Sequence, residues 1–122
     1  MFNTFDWVEI RTNDMDKTFQ FYEELFGWQI IAKDKADGSA VWIFDTGGEP
    51  RLSDIRRGGL WQRSDGDPLG VVVYILVEDI HTVLEKVPGL GGEIVSQPVP
   101  QNTSMRAYFK DPAGNLFGLW QD

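Results

Sequence analysis

The hydrophobic period changes within the first 30 residues. Val8 and Ile10 alternate with Trp7, Glu9 and Arg11, the two-residue period of a strand with one covered face. Met15, Phe19, Tyr22 and Phe26 then recur at steps of three and four, which writes one apolar stripe on a helix. Asn13 or Asp14 suits the helix N-cap, and Gly27 suits its C-terminal stop. The same grammar returns at Val72–Leu76. There, Glu78 or Asp79 is the cap and Ile80, Val83, Leu84 and Val87 form the stripe, with Pro88 and Gly89 ending the helix about a turn sooner.

The two stretches are copies of one unit. Asp14 matches Asp79, Leu25 matches Leu90 and Gly27 matches Gly92, at a constant offset of 65 (79 − 14 = 65). After the glycines, strands are expected at Trp28–Lys33 and Gly92–Ser96, then at Val41–Asp45 and Arg106–Lys110. Asp111-Pro112-Ala113-Gly114-Asn115 has Asp and Pro at the first two turn positions and Gly where positive φ is needed, so Leu116–Trp120 returns as the last strand. In the first copy the corresponding turn is Thr46–Pro50 and the returning strand Arg51–Ile55. The expectation is one α+β domain over 1–122 made of two βαβββ modules. Module one is 1–57, a Gly-, Arg- and Asp-rich linker is 58–69, and module two is 70–122.

Composition narrows the function. A chain of 122 residues fits one domain, and no apolar run approaches the ~20 residues of a membrane span. Cysteine is absent, which removes disulfides, thiol nucleophiles and thiolate ligands. Eleven basic against 19 acidic residues give a net charge of −8, which repels phosphate backbones, so no nucleic-acid partner is expected. No signal pattern opens the chain, and a soluble cytoplasmic protein with no membrane partner is the expectation.

Two phrases carry a family resemblance. Asn13-Asp14 leading to Phe21-Tyr22-Glu23-Glu24-Leu25-Phe26-Gly27-Trp28 is one, and Phe109-Lys110-Asp111-Pro112-Ala113-Gly114-Asn115-Leu116-Phe117-Gly118-Leu119-Trp120-Gln121 is the other. With βαβββ written twice, the chain resembles the vicinal oxygen chelate superfamily of glyoxalase I, extradiol dioxygenases and bleomycin-resistance proteins. The resemblance implies mixed sheets in a pseudo-two-fold arrangement, curled into a cup around a small-molecule ligand. In metal-dependent members, His, Glu or Gln comes from the first and last strand of each module. The matching first-strand positions here are Trp7 and Val72, seven residues before Asp14 and Asp79. The last-strand position is Gly118, with Ser53 as its module-one partner by the offset of 65, subject to a slip of a residue or two. These are not metal donors. The single histidine, His81, falls off its helix stripe and suits a surface pairing with Glu85. The expectation is therefore a member lacking the metal site, with no metal and no cofactor.

Strand parity nominates the ligand contacts. Trp7, Glu9 and Arg11 share one face of the first strand, Val72, Tyr74 and Leu76 the equivalent face, and Leu116, Gly118 and Trp120 that of the last strand. Trp7, Tyr74 and Trp120 would be aromatic walls, Glu9 the acid and Arg11 a group near the rim, with Gly118 enlarging the cavity. Glu9 is the catalytic candidate: a carboxylate among indole rings could act as general base, hold a cation, or be a displaced metal ligand. The equally open reading is that Glu9 simply pairs with Arg11. Phe19, Phe26, Phe44, Phe109 and Phe117 are assigned to the core, and Arg51, Arg56, Arg57 and Arg63 to a solvated loop rather than an anion clamp. Three functions compete. They are a metal-free protein binding a small aromatic or cationic molecule, a glyoxalase-like lyase or isomerase using Glu9, and a ligand-sensing accessory domain. Exposed apolar rim residues favour a homodimer.

Overall fold

Two aspartates convert extended backbone into helix at the expected places. In the computed structural model, which describes residues 2–36, 38–47, 57–64, 66–67 and 70–122, Asp14 accepts a hydrogen bond from the Lys17 amide and Asp79 accepts from the amides of His81 and Thr82. Each side chain satisfies amides that the first helical turn leaves without a partner. Gly27 closes the first helix in the left-handed region (φ 75°), its N–H donating to the Glu23 carbonyl.

The elements run β1 (Thr4–Thr12), α1 (Met15–Phe26), β2 (Gln29–Ala36), β3 (Ser39–Asp45), β4 (Arg57–Gln62), β5 (Gly70–Leu76), α2 (Ile80–Lys86), a 3-10 turn (Pro88–Leu90), β6 (Glu93–Gln101), β7 (Ser104–Lys110) and β8 (Leu116–Gln121). They divide into two compact units. The N-terminal unit is Trp7–Val71, and the C-terminal unit is Val72–Asp122 together with Met1–Asp6. The opening residues thus group with the second copy; the Asn3 amide donates to the Leu76 carbonyl. No helix among the described residues is long and apolar enough to cross a membrane.

In the N-terminal unit the strand order is β2-β3-β4-β1, antiparallel except for the parallel pair β4/β1. Ile10 from β1, Met15 and Phe19 from α1, Phe44 from β3 and Leu60 from β4 form its core, with Tyr22, Trp28 and Ile30 packed against them. Trp28 lies between aromatic neighbours, with centroids 4.9 Å from Tyr22 and 5.2 Å from Phe44. Gly58 is required by close approach: a Cβ there would stand 2.7 Å from Phe44 Cζ and 2.5 Å from the Val8 carbonyl oxygen.

Two expectations change here. β4 at Arg57–Gln62 occupies the first part of the stretch assigned to the linker; a strand written Gly-Gly-Leu-Trp carries too little alternation to be seen as one. The strand expected at Arg51–Ile55, with Ser53, Arg51 and Arg56, lies outside the described residues. Phe26 is 59% exposed rather than core. It sits on the last turn before Gly27 and stacks on Trp28 at 5.3 Å, while the helix buries Met15 and Phe19 and packs Tyr22 against the core.

The C-terminal unit repeats the plan in the order β5-β8-β7-β6, with β5/β8 parallel and the other pairs antiparallel. Val77, Ile80, Leu84, Ala107 and Leu119 form its core. Phe109 and Phe117 stack at 5.9 Å and are partly buried. The β7–β8 turn forms as its sequence dictates. Asp111 Oδ1 accepts from the amides of Ala113 and Asn115, Oδ2 accepts from Asn115 Nδ2, and Gly114 takes φ 93°.

Candidate functional site

In each unit the strands have a second face, turned away from that unit's helix, and the candidate residues lie there. In the N-terminal unit, alternation places Ile10 in the core and Glu9 on the other side. Glu9 pairs in register with Gly59 of β4, which pairs in turn with Ile43 of β3. The Trp7 indole covers the glycine, its ring atoms 3.1–3.4 Å from where a Gly59 Cβ would stand.

Glu9 is 0% exposed and pairs with Arg11, with Oε2 3.2 Å from Nη2 and 3.3 Å from Nε. The Arg11 side chain is itself buried. A carboxylate withdrawn from water needs a charge partner, and two residues along one strand face supply it. Glu9 therefore enters the site as half of an ion pair and not as a lone carboxyl among indoles. Trp61, in register with Arg11, shares that stretch of sheet. The end of β1 is pinned as well. Thr12 Oγ1 and Thr18 Oγ1 lie 2.6 Å apart, the Asp14 amide donates to Thr12 Oγ1, and the Arg63 amide donates to the Thr12 carbonyl. Of the arginines assigned to a solvated loop, Arg57 instead lies in β4 with Nε 3.6 Å from Asp45 Oδ2, and Arg63 bonds Asn13 Oδ1 and the Asp67 carbonyl.

In the C-terminal unit the matching row is Tyr74 of β5, Gly118 of β8 and Tyr108 of β7. Gly118 does not open a cavity, as its small size suggested. A Cβ built there would land in the Tyr74 ring, so the ring already uses the space. Tyr74 is 2% exposed, and its hydroxyl oxygen is 2.5 Å from that of Tyr108. Trp120 meets the Tyr74 ring edge-on at 6.3 Å and donates from Nε1 to Asp122 Oδ1. Desolvation, then the charge of Asp122, raises the Asp6 carboxyl above its ordinary value.

The structure thus brings Trp7, Glu9 and Arg11 together in one unit, and Tyr74 and Trp120 together in the other. Sequence reasoning missed Gly59 and Tyr108. Tyr108 was recoverable, because a hairpin centred on Ala113 pairs residue 108 with residue 118. Gly59 was not, because the offset of 65 pointed to Ser53, whereas the register of Glu9 with Gly59 equals that of Tyr74 with Gly118 at an offset of 59 (118 − 59 = 59).

That register settles the fit of a metal to the inherited positions. They hold Trp7 and Gly59 in one unit and Val72 and Gly118 in the other, none with a nitrogen or oxygen side-chain donor suited to the task. Among the described residues no three His, Asp or Glu side chains gather in a way that could hold a metal ion. The residues do not fit the metal centre of metal-dependent relatives.

Comparison with known proteins agrees with the fold. The model of the Glyoxalase/Bleomycin resistance protein/Dioxygenase superfamily matches residues 4–119, and the chain belongs to that family. It is 28% identical over 121 residues to "Putative glyoxylase CFP32" of Mycobacterium bovis, a match covering 95% of this chain but only 44% of that relative. It is 30% identical over 119 residues to "Probable lactoylglutathione lyase" of Synechocystis sp., covering 92% and 90% of the two chains. The crystal structure of methylmalonyl-CoA epimerase from Mycobacterium tuberculosis superposes with a TM-score of 0.70 at 17% identity, over 98% of this chain and 88% of that one. A hypothetical protein from Bacillus halodurans C-125 superposes at 0.73 with 15% identity, over 98% and 94%.

Proposed function

We propose that this chain is a small-molecule-binding protein of the glyoxalase/bleomycin-resistance type that holds its ligand without a metal ion. Trp7, Glu9 and Arg11 are the proposed contacts on the N-terminal unit, and Tyr74 and Trp120 those on the C-terminal unit. The buried Glu9–Arg11 ion pair carries the reading. It puts hydrogen-bonding groups of fixed geometry beside the Trp7 indole, where the family's metal donors are replaced by side chains with no such chemistry. Aromatic walls with a few convergent polar groups suit a small aromatic or cationic ligand, and the −8 net charge favours a cation. A cytoplasmic homodimer goes with this proposal, supported by the exposed Phe21, Leu25 and Phe26 of α1.

A thermal-shift screen against small cationic, anionic and aromatic compounds tests it. A compound at a hundred times its Kd stabilises the folded state by ~2.7 kcal/mol, which reads as several degrees. The expected result is a compound that shifts the wild type and not Trp120→Ala. No stabilising compound, or equal shifts in both proteins, overturns the proposal.

The names of the relatives favour a second reading, a glyoxalase-like lyase or isomerase with Glu9 moving a proton. Here Arg11 would hold the carboxylate ready to accept it. Formation of lactoylglutathione by the purified protein, abolished in Glu9→Gln, would put this reading first.

A further inference from the structure

The two helices come from copies of one unit, yet their outward faces differ. Phe21 and Leu25 of α1 are 58% and 57% exposed. They stand one helical turn apart, so their side chains adjoin, and the Phe21 ring meets Tyr22 edge-on at 5.2 Å. The repeat offset matches Phe21 to Lys86 of α2 (86 − 21 = 65), which is exposed too. The fold accepts a cation at this place, so packing within the chain does not explain a phenylalanine there. Charge frames the patch. Lys17 lies one turn before Phe21 and Glu24 one residue before Leu25, and both are exposed. Their spacing is almost two full turns, which puts them on one flank of the apolar pair, positive at its N-terminal end and negative at its C-terminal end. Gln20 Nε2 donates to Glu24 Oε1 on that same flank.

We propose that this patch binds a second copy of the chain, the two α1 helices packing antiparallel about a two-fold axis at Phe21. A two-fold contact sets each residue before Phe21 against one equally far beyond it on the copy. Phe21 then meets the partner's Phe21, and the Lys17 stem lies along the partner's Leu25. The Lys17 ammonium reaches the partner's Glu24 on the shared flank, and symmetry makes this ion pair twice. The result is an apolar centre with a charged rim, the common anatomy of an interface. A parallel pairing of the same faces would set Lys17 against Lys17 and Glu24 against Glu24, so the charges select the antiparallel copy. This interface deepens the homodimer of the proposed function and rests on it, naming the surface and the register.

The test is sedimentation velocity over a concentration series, on the wild type, Phe21→Lys, Lys17→Glu, Glu24→Lys and the double reversal Lys17→Glu with Glu24→Lys. Phe21→Lys is expected to weaken the dimer by roughly thirtyfold or more, as loss of a central aromatic anchor does. Its far-UV circular dichroism should match the wild type, since the second copy carries lysine at the matching place. Each single charge reversal is expected to weaken the dimer several-fold, and less so at high salt, because it creates two like-charged contacts. The double reversal restores the wild-type Kd, which only a contact between the two side chains across the interface can do. A wild-type dimer that Phe21→Lys leaves intact, or charge reversals whose losses add in the double variant, overturns the α1 interface and leaves the homodimer standing. A wild type that stays monomeric throughout the series removes both.

Discussion

In the N-terminal unit the glycine at the middle of the row, Gly59, stands between Glu9 and Ile43; in the C-terminal unit Gly118 stands between Tyr74 and Tyr108. An aromatic ring covers each glycine, but it comes from different places. Over Gly118 it is Tyr74 itself, the residue in register. Over Gly59 it is Trp7, two residues before the one in register, and the Glu9 carboxylate runs along the strand to Arg11. One topology thus places the same backbone site twice and fills it with a buried ion pair in one copy and a phenol pair in the other. The backbone supplies the position, and the side chains decide the chemistry.

Breaking each copy should cost different amounts. The largest loss is expected for Glu9→Ala, which breaks the buried Glu9–Arg11 ion pair by removing its carboxylate and should lower stability by about 3–5 kcal/mol in denaturant unfolding. Glu9→Leu combined with Arg11→Met should lose much less than the two single substitutions summed, since no charge is stranded. Next comes Gly118→Ala, which forces the Tyr74 ring aside and should cost about 1–3 kcal/mol. Gly59→Ala should cost less, because its new Cβ would stand 3.1 Å from the nearest Trp7 ring atom, whereas the one at Gly118 would land in the Tyr74 ring. Equal losses at the two glycines would undo the distinction drawn between the copies. Tyr74→Phe should cost only ~1 kcal/mol, the worth of one hydrogen bond.

The smallest effect belongs to the cap and turn of the C-terminal unit. Hydrogen bonds from Thr82, then from His81, hold Asp79 below its ordinary 3.8, and those from the Asn115 side chain and amide do the same for Asp111. Both carboxyls are lowered in the folded state, so their stabilisation is present above about pH 4 and is lost as pH falls through the folded values. Thermal melts of Asp111→Asn and wild type should therefore differ most near neutrality and converge in acid. A gap that widens in acid would contradict the assignment.

The repeat, both N-caps, the Asp111–Asn115 turn and the core face of β1 were legible from spacing alone, because each follows from a local period or a single residue's hydrogen bonds. What failed was long-range. β4 could not be recognised from Arg57-Gly58-Gly59-Leu60, since its glycines are there for close approach to Phe44 and Trp7, not for strand propensity. Phe26 obeyed the helical step yet lies on the last helical turn, exposed and stacked on the Trp28 ring. On the site, parity placed Glu9 beside Arg11, but whether they bonded depended on burial that no residue pattern reports. Gly118 was read as empty space because the side chain that fills it comes from a strand over 40 residues earlier.

The most direct test of the central claim is a thermal melt of metal-stripped protein with and without Zn²⁺, Ni²⁺, Mn²⁺ or Fe²⁺, alongside Glu9→Gln. Metal-free function predicts that none of these ions raises the wild-type Tm, in line with the donor-poor positions Trp7, Gly59, Val72 and Gly118. A rise of several degrees that disappears in Glu9→Gln would show that Glu9 leaves Arg11 for a metal ion, and would contradict the account.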